Sequence, residues 1–369
     1  MELMEIIKMV VMWLIGAGLI YLAVKKEYEP SLLLPMGFGA ILVNLPNTGV
    51  LNQTMEGIGE VRGIIQWLYE VGIEASEAMP ILLFIGIGSM IDFEPLLQRP
   101  IMALYGFTAQ FGIFVAIGLA LLLGFSVADA FSIGIIGAAD GPTAILVSQV
   151  LKSNYMGPIA VVAYSYMALV PIIQPTTIKL ITTKKERQIT MPIKKTKKVS
   201  KTAKILFPII VTIVAGFVAP MSISLVGFLM FGNLIRECGV LETLSKTAQD
   251  ILTNLITLLL GITISFSMTA DRFLQVETLL IMVIGLVAFV FDTVGGVLAA
   301  KIMNIFLKEK INPMIGAAGI SAFPMASRVV QKMAGEEKPG NIIIMQAVGA
   351  NVSGQIASAM IGGLLLGLF

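Results

Sequence analysis

The chemistry of this chain starts from one carboxylate. Residues 131 to 147 read FSIGIIGAADGPTAILV, and Asp140 is the single acid in that apolar, glycine-rich run. In a lipid core a charge there costs at least ~3 kcal/mol unless it faces a wet cavity or a bound cation, so its default reading is functional. Gly137, Gly141 and Pro142 beside it would break a helix. Non-helical backbone at that depth is tolerated only where it lines a cavity or is buried in protein, and broken helices of this kind carry ion sites in transporters. Asp292, in LVAFVFDTVGG, is as enclosed by apolar sequence as Asp140, and stays open between a second site and a structural hydrogen-bonding residue. The chain has no histidine, so proton chemistry falls to Asp, Glu, Tyr, Lys, Arg or water. Its one cysteine, Cys238, excludes an internal disulfide and any metal-ligand cluster. The 22 methionines read as apolar filler.

A lone enclosed acid has to be held by membrane helices, and the composition supplies them. Of 369 residues, 57% are hydrophobic and 13% charged, whereas soluble chains carry about 25% charged residues. Together with a mean hydropathy of +0.92, this defines an all-α polytopic membrane protein. The opening MELMEIIK is acidic and no small-residue cleavage site follows it, which predicts a retained first span rather than a signal peptide. Apolar segments fall at about 9–24, 31–46, 79–92, 101–124, 129–150, 157–178, 205–219, 223–236, 252–270, 278–300, 313–333 and 341–367. Several are shorter than the ~20 residues a span needs, so half-helices or re-entrant segments are expected among ten to twelve membrane elements. Residues 51 to 77, with Glu56, Glu60, Arg62, Glu70 and Glu74, read either as an interfacial amphipathic stretch or as a plain connector.

Between Lys179 and Lys204 stand ten basic residues and one acid, Glu186, which puts this short loop in the cytoplasm. Lys25 and Lys26, closing the first span, indicate the same side, so the N-terminus faces outward. The loop divides the chain into a first transmembrane repeat (1–178), a basic cytoplasmic linker (179–204) and a second repeat (205–369). LLFIGIGSMIDFEPLL (82 to 97) is echoed by LLLGITISFSMTADRFL (258 to 274), Gly137-Ala138-Ala139 aligns on Gly316-Ala317-Ala318, and Asp292 aligns with Gln110. An odd number of crossings in the first half makes the second an inverted-topology copy, which puts the site near the midplane at the breaks in corresponding helices. Asp92, Glu94, Asp271 and Arg272 sit at span ends and read as solvated interfacial charges.

GAADGPTAI around Asp140, NPMIGAAGISAFPMASRVVQK (312 to 332) and QAVGANVSGQIAS (346 to 358) strongly resemble the membrane β subunit of the biotin-dependent, sodium-translocating decarboxylases, the oxaloacetate, methylmalonyl-CoA, glutaconyl-CoA and malonate decarboxylase pumps. The resemblance covers essentially the whole chain. It implies a transporter-like, elevator-type fold with discontinuous helices in a bacterial or archaeal plasma membrane. It also implies the reaction: a peripheral carboxyltransferase moves CO2 from an acid onto biotin, and decarboxylation of the carboxybiotin at this subunit drives Na+ outward while a proton is consumed. The implied partners are a carboxyltransferase α subunit, a biotin carrier subunit, a small membrane-anchor subunit and further copies in a homo-oligomer, with no nucleic acid. It puts Asp140, Tyr166, Asn312, Ser321, Arg328 and Asn351 in the ion and carboxybiotin path. The short N-terminal region departs from some oxaloacetate-type members, so the acid stays open.

The residue types agree with those roles. Na+ is a hard cation that takes about five or six oxygens, by the logic that governs Ca2+ and Mg2+. Asp140, Asn312, Ser321 and Asn351 supply a carboxylate and neutral oxygens, and carbonyls near Gly137 and Gly316 are expected to complete the set. Each neutral ligand also has a plainer reading. Asn312 fits a helix N-cap ahead of Pro313, Ser321 fits a bond to its own helix, and Asn351 fits a helix-to-helix bond. Arg328 lies seven residues after Ser321, on the same helical face. Its guanidinium suits the carboxylate of carboxybiotin, with a snorkelling arginine beside Lys332 as the alternative. Tyr166 is a proton donor or ion ligand, or part of an interfacial aromatic belt with Tyr164. QKMAG at 331 to 335 is not a biotinylation motif. The competing class is a stand-alone secondary transporter for a cation or small organic anion on the same inverted-repeat plan.

Overall fold

A computed structural model describes residues 3–27, 30–46, 48–55, 57, 59–75, 77–191 and 198–369. Lys194, Lys195 and Lys197 of the basic linker, and Glu56, lie outside the described residues. The first half contains α1 (Leu3–Lys26), α2 (Pro30–Val43), a two-stranded antiparallel hairpin of β1 (Asn52–Met55) and β2 (Gly59–Arg62), and α3 (Ala78–Met90). Further on come α4 (Phe111–Leu122), α5 (Val127–Gly134), α6 (Gly141–Val150) and α7 (Met156–Ile181). The second half contains α8 (Lys201–Val218), α9 (Ile223–Glu237), α10 (Thr253–Ile264), α11 (Val276–Phe306), the single turn α12 (Met314–Ala317), α13 (Met325–Glu337) and α14 (Ile344–Gly367).

Among the described residues six helices are long and apolar enough to cross a membrane, or up to eight if two bent pairs each count as one span. The ten to twelve membrane elements expected from the apolar segments include half-helices as well as full spans. At 129–150 and 313–333 a break folds each segment into a hairpin of two half-helices. In the stretch 51–77, Gly57 at φ +82° and Gly59 at φ +92° turn the first part into the β hairpin, and Ile64–Tyr69 with Glu70–Glu74 is helical.

The first hairpin runs down α5 and a 3-10 turn (Ile135–Ala138), and returns along α6. Its feet are tied: Ser153 Oγ and the Asn154 N–H donate to Asp129 Oδ1 at 2.8 and 3.0 Å. The second runs down α12, through an irregular stretch at 318–324, and back along α13. Its feet are tied to the linker. Asn312 Nδ2 donates to the Arg187 and Ile189 carbonyls at 2.8 and 3.0 Å, and Glu337 pairs with Arg187 at 2.6 Å. The two tips touch, since the Ser321 N–H donates to the Ala138 carbonyl at 3.2 Å.

The halves exchange packing partners. From the first half α2 lies on α10 and α3 on α9, while α7 packs on α11 and α14 on the short helix Ala103–Thr108. Glycines permit the closest approaches: a Cβ added at Gly88 would lie 1.9 Å from the Leu229 carbonyl oxygen, and one at Gly232 2.0 Å from that of Ile85. Small residues at helix contacts are how membrane helices gain packing without a hydrophobic drive between them. One body is built on α2, α3, α9 and α10 and another on α4, α7, α11, α14 and both hairpins, and buried residues of α9 share a continuous hydrophobic core with the second.

Candidate functional site

Asp140 is 3% exposed and stands at the tip of the first hairpin, where Ala139 adopts a left-handed backbone, φ +53° and ψ +41°. A non-glycine residue in that region costs on the order of 1–2 kcal/mol, and such strain collects at functional sites. Asp140 then caps α6: Oδ1 accepts the Thr143 N–H at 3.4 Å and Oδ2 accepts Thr143 Oγ1 at 2.7 Å. From α14, Ser358 Oγ donates to the same Oδ2 at 2.9 Å. Among the described residues no lysine or arginine forms an ion pair with it. A buried carboxylate surrounded by hydroxyls and lacking a countercharge is poised for a cation or a proton.

The carboxylate opens on a cavity of about 270 Å3 between the two bodies. Asp140, Tyr164, Ser321 and Gln355 line one side, and Leu83 and Thr257 the other. A Cβ at Gly141 would lie 2.2 Å from the Tyr164 ring, so glycine lets that ring close over the break.

The second tip is held by four amides, each donating to a backbone carbonyl. Gln174 reaches Ala317 at 2.7 Å, Gln110 reaches Gly319 at 3.4 Å, Asn351 reaches Ile320 at 2.7 Å, and Gln355 reaches Ser321. Ser321 Oγ donates to the Gly354 carbonyl at 2.9 Å. The carbonyls of Ala317, Gly319 and Ile320, freed just after Gly316, each accept an amide hydrogen bond, which leaves one lone pair of each oxygen. What remains is a set of buried amide oxygens without hydrogen-bond partners, those of Asn351, Gln355, Gln174 and Gln110. Among the described residues these acceptors lack donors, which is uncommon for buried groups; of the four, Gln355 lines the cavity with Asp140, and a neutral oxygen beside a carboxylate is what a hard cation takes.

The expected site residues separate into two groups. Asp140 and Ser321 line the cavity together, and Asn351 stands one turn before Gln355, a lining residue, on α14. Asn312 does not line it. Its NH2 is committed to the linker carbonyls, and its oxygen accepts the Met314 N–H at 3.1 Å, which is the N-cap role. Tyr166 donates to the Met282 carbonyl on α11, while Tyr164 takes the lining position. Arg328 is exposed on α13, one turn beyond the lining Pro324, and forms no ion pair or side-chain hydrogen bond among the described residues. Lys332 and Glu336 continue its exposed stripe at four-residue spacing. Thr143, Ser358, Gln355 and Gln174 were missed from sequence. Asn351, Gln355 and Ser358 repeat at i, i+4 and i+7 on an apolar helix, and that polar stripe was the signal.

Two discontinuous hairpins that meet beside the buried Asp140 carboxylate, in a chain of long apolar helices, define a multi-pass membrane protein. The chain belongs to the family of the Na+-transporting oxaloacetate decarboxylase beta subunit, whose model matches residues 8–369. It is 46% identical to the methylmalonyl-CoA decarboxylase subunit beta of Propionigenium modestum, over 98% of this chain and 94% of that protein. It is 45% identical to the glutaconyl-CoA decarboxylase subunit beta of Acidaminococcus fermentans, over 97% and 92%. A probable oxaloacetate decarboxylase beta chain of Vibrio cholerae is 42% identical, over 96% and 94%. Relatives named for three different acids stand at similar identity, so identity does not select an acid.

Proposed function

We propose that this chain is the membrane subunit of a biotin-dependent sodium pump, coupling decarboxylation of carboxybiotin to Na+ export with uptake of a proton. The observation that carries the reading is Asp140, a buried carboxylate with hydroxyl neighbours and no countercharge, opening on a cavity between two bodies. Family membership favours the pump over a stand-alone transporter. In this reading Na+ sits against Asp140 with the free oxygens of Asn351 and Gln355. Asn312 keeps a supporting role, since it fixes the foot of the hairpin that carries Ser321.

Carboxybiotin, brought by a biotin carrier from a carboxyltransferase α subunit, is the substrate. It loses CO2 when its carboxylate is stripped of water and its ring nitrogen gains a proton. The exposed face of α13 is the approach, with Arg328 gripping the carboxylate by two parallel hydrogen bonds. The apolar flank of the cavity excludes water. Tyr164, with Tyr166 behind it, is a candidate route for the proton. A carboxylate cannot hold Na+ and a proton strongly at once, so protonation of Asp140 releases the ion. The two repeats are inverted copies whose hairpins enter from opposite membrane faces, and the hairpin body moves against the other to change the exposed side. A small membrane-anchor subunit and further copies of the chain complete the assembly.

The test is to purify the chain with its biotinylated partner, reconstitute it in vesicles and follow Na+ uptake on addition of each candidate acid. Acid-dependent, avidin-sensitive Na+ uptake is expected. Na+ movement independent of acid and biotin would overturn the reading in favour of a stand-alone transporter.

A further inference from the structure

Asp292 is fully buried in the middle of α11, and the site described so far does not use it. Its neighbours are specific. Oδ1 accepts the Gly112 N–H at 2.5 Å. Oδ2 faces Gly137 of the first hairpin, where an added Cβ would come within 3.0 Å. Gly112 lies in the first turn of α4, where N–H groups lack partners within the helix; the next N–H, of Ile113, is taken by the Gln110 carbonyl at 3.2 Å. An N-cap side chain ordinarily supplies the acceptor. Here the N-cap is Gln110, and its side chain makes no cap bond. It is turned away, donating to the Gly106 carbonyl at 3.1 Å and to Gly319 of the second hairpin at 3.4 Å.

The two facts interlock. Because Gln110 holds the second hairpin, the start of α4 lacks a cap, and Asp292 provides it from the other half of the chain. Residues 110 and 292 are also the pair that align between the repeats. Gln110, in the first repeat, fixes the break of the second. Asp292, in the second repeat, seats the α4 terminus against the break of the first. One turn on from Asp292, a Cβ added at Gly296 would lie 2.1 Å from the Gly316 carbonyl oxygen, so the same stretch of α11 touches both hairpins.

We propose that Asp292 and Gln110 are reciprocal positioning residues, which together hold the two hairpin tips in register so that the oxygens around Asp140 keep cation spacing. The inference rests on reading Asp140 as the cation site. Asp292 acts as a hydrogen-bond acceptor, not as a carrier of protons or ions.

The experiment uses the assembled complex and reads three quantities: the Na+ concentration for half-maximal decarboxylation, the maximal rate with its pH profile, and Na+-dependent protection of this chain against proteolysis. Removing an acceptor or donor from a buried pair costs enough to change binding about tenfold. Asp292→Leu and Gln110→Leu should each raise the Na+ requirement, in activity and in protection, by about that factor, with the maximal rate within about threefold of wild type. Asp292→Asn keeps an acceptor oxygen and should restore the Na+ requirement with an unchanged pH profile. That variant decides the matter even where a leucine variant fails to assemble. An Asn variant that loses Na+ protection or shifts the pH profile overturns the proposal, and so do leucine variants with wild-type Na+ requirement. Absence of Na+ protection in the wild-type chain would instead sink the reading of Asp140, and this inference with it.

Discussion

The carboxylate of Asp140 is held by two hydroxyls, Thr143 Oγ1 and Ser358 Oγ, and each bond orients it without cancelling its charge. Ser358→Ala removes one bond to a charged group, about 1.5 kcal/mol. It should raise the Na+ concentration for half-maximal activity roughly tenfold and leave the maximal rate close to wild type, as a Na+ titration of decarboxylation will read. Arg328→Lys is expected to behave differently. An ammonium makes a point contact where a guanidinium grips both oxygens of a carboxylate. Decarboxylation should then fall at least tenfold while Na+ still protects the chain from proteolysis, and full activity in the lysine variant would make Arg328 a surface anchor. At this scale Asp140 and Ser321, singled out by type and context, line one cavity, and Asn351 stands one turn from the lining Gln355. Asn312 was legible as an N-cap. Gln174 was not, because one glutamine in an apolar helix carries no sign of which face it occupies. Gln355 and Ser358 share a stripe with Asn351, but what they bind, the Ser321 carbonyl and the Asp140 carboxylate, lies more than 30 residues away in sequence.

The half-helices were anticipated from short apolar segments, but the folding of 129–150 and 313–333 into hairpins was not. Asp129 looks like an ordinary first-turn acid until Ser153 and Asn154 return to it, and periodicity within a segment cannot report that return. The halves are also joined outside the spans. Lys204 at the start of α8 pairs with Glu94 just after α3, and the Lys204 ammonium holds the Glu94 carboxyl below the usual carboxylate range. A depressed carboxylate stabilises the fold above its unfolded pKa, and that contribution is lost as pH falls through the folded one. Glu94→Gln should therefore lower the melting temperature slightly at neutral pH, by no more than a surface pair contributes, about 1 kcal/mol or less. The difference should shrink as pH falls below the ordinary glutamate range and is lost once Glu94 is protonated in the folded chain. Equal melting temperatures at pH 7 would show the pair to be idle.

Over the whole molecule, the exchange of partners between halves explains how one cavity comes to lie between two bodies. Because α2 rests on α10 and α3 on α9, neither half can form either body alone. The basic linker stands out in the charge pattern, and the Gly-Ala-Ala echo marks segments of similar sequence. The swap was not legible, since internal similarity says which segments are alike and not which ones touch.

The most direct measurement is Na+ uptake into vesicles carrying the purified complex, with wild-type chain or Asp140→Asn, started by the acid that the complex decarboxylates. Asparagine keeps the shape and the hydroxyl neighbours of Asp140 but removes the charge that draws the cation. The account predicts normal insertion and assembly, loss of Na+-stimulated decarboxylation and no Na+ uptake. Wild-type uptake with unchanged Na+ dependence in Asp140→Asn would contradict it.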